Sequence, residues 1–201
     1  DLISAKYKDD KKINRYSDLI SGELKHINDI LTEFLKFSRP QKLDKTMKNI
    51  NDICSEVVIL MVSMANLNGI RLTKKLAKNV PNIFLDEYKI KQVLINLITN
   101  AIDATKDVGD EIVIETGYYP KSKEVFIRVR DNGCGISEEV LSEIYNTFFT
   151  IKEHGTGLGL PICNQIVAEH DGHIKVESKE GKGTTFTVII PDKVAIDQDR
   201  E

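Results

Sequence analysis

The stretch from Asp86 to Thr105, DEYKIKQVLINLITNAIDAT, constrains this chain most, because one segment carries two faces with different demands. Ile90, Val93, Leu94, Leu97, Ile98 and Ala101 recur three and four apart and predict a helix with a broad core-facing stripe. A second line, Lys89, Gln92, Asn96, Asn100 and Asp103, has the same spacing and so also lies along one face. Asn forms helix poorly because its amide competes for backbone hydrogen bonds, so two of them one turn apart point to a task for their side chains. An amide oxygen can ligate a hard cation. The segment therefore reads either as the floor of a Mg²⁺-nucleotide site or as a tolerated polar face.

A chain of 201 residues holds one full-sized core plus an appendage. Its 41% hydrophobic and 29% charged content is ordinary for a globular protein, and a net charge of −3 gives no electrostatic argument for nucleic acid. Cys54, Cys134 and Cys163 are scattered, odd in number and without metal-ligand spacing, so neither a disulfide framework nor a zinc site is expected. The longest apolar run, Val57 to Val62, is far short of the roughly 20 residues a membrane span needs, and no signal peptide opens the chain. No membrane contact by this segment is expected, and a reducing cytoplasm fits best, including as the cytoplasmic part of a membrane-anchored sensor.

Along the chain, Ile13, Tyr16, Ile20, Leu24, Ile27, Leu31, Phe34 and Leu35 predict one long helix from about Ile13 to Ser38, ended by Arg39-Pro40. Its stripe is too long and wide for a lone surface helix, so it is expected to join a bundle that a second copy of the chain completes. Residues 1 to 8 read as the tail of a preceding helix. A short strand near residues 45–50, a helix from 51 to 66 and strands near 70–76 and 82–85 follow, and then Asp86 caps the central helix. Strands at 111–119 and 124–130 form a hairpin through Tyr119-Pro120-Lys121-Ser122. Ser137 caps a helix to about Tyr145, a loop runs from 146 to 157, and a helix at 158–170 leads to strands at 173–178 and 184–191. A polar tail begins at Asp192. Strands meet helices in no regular βαβ repeat, which predicts an α+β two-layer sandwich with helices on one face of a mixed sheet.

Gly155-Thr156-Gly157-Leu158-Gly159-Leu160 closes a loop and opens a helix, where backbone N–H groups can cradle phosphates, although such a run also serves as a plain flexible loop. It is not a Rossmann fingerprint, since Leu160 stands where the third glycine would fall, and no P-loop occurs. Asp131-Asn132-Gly133-Cys134-Gly135 follows an apolar strand and reads either as a tight turn or as a carboxylate set to accept an exocyclic amine. Gly181-Lys182-Gly183 reads as a hairpin turn.

Asn96 to Ala104 (NLITNAIDA), Asp131 to Gly135 (DNGCG), Phe148-Phe149-Thr150, Gly155 to Leu160 (GTGLGL) and Gly181 to Phe186 (GKGTTF) resemble, in order and spacing, the ATP-binding boxes of sensor histidine kinases of two-component systems. The match covers about residues 43 to 191. Phe34 to Pro40 also resembles the end of the second helix of that family's dimerisation hairpin. The short loop 150–155 is most similar to the sporulation-type and nitrogen-regulatory-type kinases. The resemblance implies a Bergerat-type ATP-binding domain over residues 41–192, a partial dimerisation and phosphotransfer hairpin over 1–40, and a tail over 193–201. It implies ATP and Mg²⁺ as ligands, with Asn100 on the metal, Asn96 near the phosphates, Asp131 reading adenine and Lys152 closing over the triphosphate. Asn96, Asn100 and Lys152 would serve the chemistry. Asp103, Gly133, Gly135, Ile136, Phe149, Gly155, Thr156, Gly157, Leu158, Gly159, Leu160 and Thr185 would complete the nucleotide site. A homodimer and a response-regulator receiver domain are the implied partners. The family's usual Glu-Pro before the paired phenylalanines is Asn146-Thr147 here.

Related ATPases such as gyrase, Hsp90 and MutL carry a Glu one turn before the magnesium Asn, whereas this chain has Asn96, whose amide cannot serve as a general base. Slow hydrolysis is therefore expected, while phosphoryl transfer, which depends mainly on positioning and charge stabilisation, remains open to an imidazole nucleophile. None of His26, His154, His170 and His173 stands in an acceptor-like context, so the acceptor is expected on a helix outside this sequence. Two other readings stay open: an anti-sigma-factor-type serine kinase, which would not be expected to carry the long helix, and a nucleotide-gated interaction module without catalysis.

Overall fold

Strand alternation builds the core of the computed structural model, which describes residues 11–38, 42–152 and 155–193. On β5 (Glu124–Asp131), Val125, Ile127 and Val129 are buried on one face while Glu124, Phe126, Arg128 and Arg130 point to the other. Neighbouring strands continue this in register, so that Ile114, Val129, Phe186 and Val176 form one row across β4 (Glu111–Tyr119), β5, β7 (Gly183–Pro191) and β6 (His173–Lys179). With β2 (Arg71–Leu76) the order is β2-β4-β5-β7-β6, parallel between β2 and β4 and antiparallel elsewhere. The sheet is mixed, as expected. A separate antiparallel ribbon joins β1 (Thr46–Lys48) to β3 (Ile83–Leu85).

Among the described residues, helices cover the apolar sheet face. α1 (Lys11–Ser38) precedes that layer, which is built by α2 (Ile50–Leu67), α3 (Glu87–Thr105) and α5 (Gly159–Glu169), with α4 (Glu138–Leu141) a single turn before α5. The predicted stripe of α3 is the inward one: Ile90, Val93, Leu94, Leu97, Ile98 and Ala101 are all buried with Ile53, Val57, Ile162 and Val167 in one cluster. Each Ile, Leu and Val among them contributes about 1.5–3 kcal/mol on burial. α2 is long and apolar enough to cross a membrane by length and composition, with a mean hydropathy of 1.5, yet Ile50, Ile53, Cys54, Val57, Met61 and Ala65 face this core.

Several boundaries differ from expectation. The first strand stops at Lys48, because Asn49 caps α2 by accepting the Asn51 N–H and Ile50 enters the core as a helical residue. The helix capped by Ser137 ends at Leu141, after which Glu143 N–H to Val140 O and Asn146 N–H to Glu143 O wind the chain into tight three-residue turns. Asp192, expected to open a loose tail, is buried with its N–H on Lys123 O, and Lys193 pairs with Asp171 at 2.6 Å. The long helix is present, and Tyr16, Ile20, Leu24, Ile27, Leu31 and Leu35 are 49–62% exposed along it. Residues 1–8, Arg39-Pro40, His154 and residues 194–201 lie outside the described residues, as do the side chains of His26 and Phe34.

Candidate functional site

α3 is the floor on which the two other motifs meet. Asp86 fixes its start: Oδ1 caps the Lys89 N–H at 3.1 Å, Oδ2 accepts the Asp44 N–H at 3.0 Å, and its own N–H donates to His170 Nε2 at 2.9 Å. The His170 Nδ1–H donates in turn to Ile166 O at 2.7 Å, since Nε2 is the acceptor. His170 is thus a buried strut between the start of α3 and the end of α5, and desolvation holds its pKa below the usual histidine value.

Further contacts follow along the outer face of α3. Asn96 Nδ2 reaches Gly159 O at 3.4 Å, where α5 begins. Leu158 stands at the N-cap and offers no capping side chain, so the first-turn N–H groups of α5 face the site without an internal acceptor of that kind. One turn on, Lys152 Nζ donates to Asn100 Oδ1 at 2.8 Å and to Asp103 Oδ2 at 2.6 Å. At the far end Ala104 O accepts the Cys134 N–H at 2.9 Å. From Asn96 to Ala104 is roughly 12 Å at about 1.5 Å per residue. The helix therefore joins the glycine loop and the Asp131 loop into one continuous surface.

The loop from Phe148 to Gly157 crosses itself. Phe148 donates its N–H to Gly157 O at 3.1 Å, with both residues at positive φ, 68° and 66°. A Cβ on Gly157 would fall well inside 3.0 Å of the Phe148 backbone, so this position needs glycine for space and for conformation. Gly155 lies against the Thr150 hydroxyl, which also accepts the Lys152 N–H at 3.1 Å. Phe149 donates its N–H to Asn146 O, so Asn146 closes the turn ahead of the paired phenylalanines.

The loop from Asp131 to Gly135 is held by buried contacts. Asp131 Oδ1 accepts both the Gly133 N–H at 2.9 Å and the Thr184 N–H at 3.1 Å, and Oδ2 takes part in neither bond. Burial raises the Asp131 pKa, opposed by those two N–H bonds. Gly133 packs on the Ala104 backbone and Gly135 on the Lys179 backbone, and the Ile136 N–H donates to Ser178 Oγ at 2.8 Å. The turn around Gly181 is the hairpin turn expected between β6 and β7, and it also braces this loop through the Gly181 N–H to Cys134 O.

Of the residues singled out from sequence, Asn96, Asn100, Asp103, Lys152, Asp131 and the glycines converge on this surface, and Thr185 does not. Thr185 pairs with Arg130 on the opposite sheet face, where it lines a recess of about 160 Å³ with Glu111, Val113 and Lys182, a recess to which Asp131 and Thr184 also contribute. Its neighbour Thr184 points inward, buried, with its hydroxyl 2.8 Å from Ser178 Oγ. Sequence reading missed Thr184 and Ser178, although both stand on the inward parity of their strands. Of the four histidines, His170 is buried and His173 is exposed on β6.

A profile of the histidine kinase-, DNA gyrase B- and HSP90-like ATPase family matches residues 85–194. Among curated proteins, the chain is 37% identical over 176 residues to sporulation kinase E of Bacillus subtilis (strain 168), covering 88% of this chain and 24% of that protein. It is 34% identical over 176 residues to the signal transduction histidine-protein kinase AtoS of Escherichia coli (strain K12), covering 88% of this chain and 29% of that one. The chain thus spans less than a third of either relative. Among solved structures, histidine kinase ThkA in complex with the response regulator TrrA superposes with a TM-score of 0.74 at 31% identity over 94% of this chain and 54% of that chain. A nucleotide-free ThkA catalytic domain gives 0.66 at 37% identity over 75% of this chain and 97% of that one.

Proposed function

The chain belongs to the histidine kinase-, DNA gyrase B- and HSP90-like ATPase family, and we propose on that premise that it is the catalytic region of a sensor histidine kinase. In this reading it binds Mg²⁺-ATP and passes the γ-phosphoryl group to a histidine on a dimerisation hairpin, for relay to a response-regulator aspartate. The observation that carries it is the cation on Asn100: Oδ1 accepts an ammonium at 2.8 Å, between the glycine loop and Asp131. An oxygen that accepts an ammonium can accept a hard cation in its place. Among the described residues no cluster of three His, Cys, Asp or Glu exists to cage a metal. A hard cation held by one amide oxygen and by phosphates suits this donor set. Bound Mg²⁺ would neutralise charge on the phosphate oxygens.

The other roles follow from chemistry. The first turn of α5 and Gly155 to Leu160 offer N–H groups to phosphates. Asp131 Oδ2 accepts from the exocyclic amine of adenine, in a wall shaped by Gly133, Gly135 and Ile136. Asn96, fixed beside Gly159, has no basicity to activate water, so the site favours transfer to a positioned imidazole over hydrolysis. Lys152 and Phe149 sit on the loop that closes the phosphate side. The exposed stripe of α1 supports a homodimer, and the ThkA–TrrA complex, a property of those proteins, supports a receiver domain as partner. A cytoplasmic location fits such a partner.

The test is incubation with Mg²⁺ and γ-labelled ATP, with and without a separately supplied hairpin that carries an acceptor histidine. Label is expected on the hairpin only, acid-labile and alkali-stable as a phosphoramidate. Acid-stable label on a serine of a partner would favour the serine-kinase reading, and no transfer to any hairpin would favour a nucleotide-gated module.

A further inference from the structure

Asn100 has two claimants. Lys152 Nζ lies 2.8 Å from its Oδ1 and 2.6 Å from Asp103 Oδ2, so three side chains from two segments close a small ionic triangle over α3. Lys152 and Asp103 are each nearly half exposed, 42% and 47% at the side chain. An oxygen that ligates Mg²⁺ at about 2.1 Å could keep the ammonium only by holding two cations within about 5 Å of each other. The two states exclude one another.

We propose that Lys152 is a built-in substitute for the divalent cation and that Asp103 is the residue that positions it. This rests on the reading of Asn100 as the metal ligand. Without nucleotide, the tethered ammonium occupies the ligand oxygen and pins the loop around Thr150 to α3. Loading the site exchanges one cation for the other, and that exchange frees Lys152 to follow the phosphates. Tethering gives the ammonium a high effective concentration, so an ion must engage Asn100 and phosphate together to displace it. Asp103 then has a role opposite to that of an ordinary acidic neighbour of a metal. By anchoring the competitor it raises the Mg²⁺ concentration that the site requires.

The experiment measures ADP binding by calorimetry to the whole chain over a range of Mg²⁺, with ADP in EDTA as the reference for each variant. ADP lacks the γ-phosphate, so a contact of Lys152 with that group contributes nothing. The reference removes the general effect of the lost positive charge. Lys152→Met should lower the Mg²⁺ concentration for half-maximal coupling about two- to fivefold, as expected for loss of a partly exposed ion pair. Asp103→Asn should move it in the same direction. A higher midpoint in Asp103→Asn, which simple attraction between Asp103 and the metal requires, overturns the proposal, as do unchanged midpoints in both variants. Asn100→Ala separates the two layers. If it abolishes Mg²⁺ dependence while the other variants leave the midpoint alone, only the exchange fails. If the parent chain shows no Mg²⁺ dependence, or Asn100→Ala retains it, the metal-ligand reading falls and takes the exchange with it.

Discussion

The loop around Asp131 and the loop from Phe148 to Gly157 are both glycine-rich and both lie against α3, yet they are held by different kinds of contact. The first is locked to backbone: Gly133 on Ala104, Gly135 on Lys179, Gly183 on Asp131, with Cys134 bonded on both sides. The second has a fixed crossing at Phe148 and Gly157, and within it Lys152 reaches α3 through an exposed ammonium. A carboxylate that reads a base needs its position set before the ligand arrives, because ordering it on binding would subtract from affinity. A phosphate loop must admit and release its ligand, and contacts to solvent-exposed charges exchange cheaply.

The largest expected effect tests how rigid the loop around Asp131 is. Gly135→Ala forces a Cβ at φ 71° into the Lys179 backbone and should cost roughly 3 kcal/mol or more in urea unfolding. Gly181→Ala has the same φ with open space around it and should cost only about 1 kcal/mol. Equal costs would mean that conformation alone, and not packing on the backbone, sets the loop.

Next comes Asp131→Asn, which keeps an oxygen for the Gly133 and Thr184 N–H groups but loses the carboxylate. ATP affinity should fall at least about tenfold, or about 1.4 kcal/mol, with preference over GTP lost in calorimetry. Stability should not fall with it. Burial raises the Asp131 pKa above 3.8, so the folded chain keeps a proton that the unfolded chain has released, and ionisation costs stability as pH rises through that window. Removing the charge should leave the unfolding midpoint at pH 7 unchanged or higher.

The packing of α5 on α3 has a buried joint at His170, and pH should expose it. His170 has its pKa lowered below 6.5, chiefly by burial and next by the Lys45 charge, against the Ile166 carbonyl, Asp86 and Glu169, which favour its protonation. The unfolded chain takes up that proton first, so the contribution of this joint is whole above pH 6.5 and is lost as pH falls toward the folded value. Thermal unfolding from pH 7.5 to about 5 should show a slope that His170→Gln flattens, since Gln can still accept the Asp86 N–H without titrating. The smallest effect is expected for Lys152→Met without nucleotide, no more than about 1 kcal/mol in urea unfolding, because its partners are exposed. A larger loss would make the second loop as firmly held as the first and erase the contrast between them.

The sequence alone determined what local periodicity and spacing can carry. The stripe of α3, the line of Asn96, Asn100 and Asp103, the strand at 111–119 and the order of the glycine motifs depend on neighbours within a few residues, and the fold reproduces them. Tertiary structure decided whatever depends on a partner distant in the chain. Thr184 faces the site and Thr185 does not because β7 takes its parity from pairing with β5, and a one-residue shift of register turns every side chain to the other face. His170 is a strut because Asp86, 84 positions earlier, needs an acceptor for its buried N–H. Lys152 meets Asn100 and Asp103 across 52 and 49 positions, and no pattern in the sequence encodes a charge pair whose members are brought together only when the loop folds back on the helix.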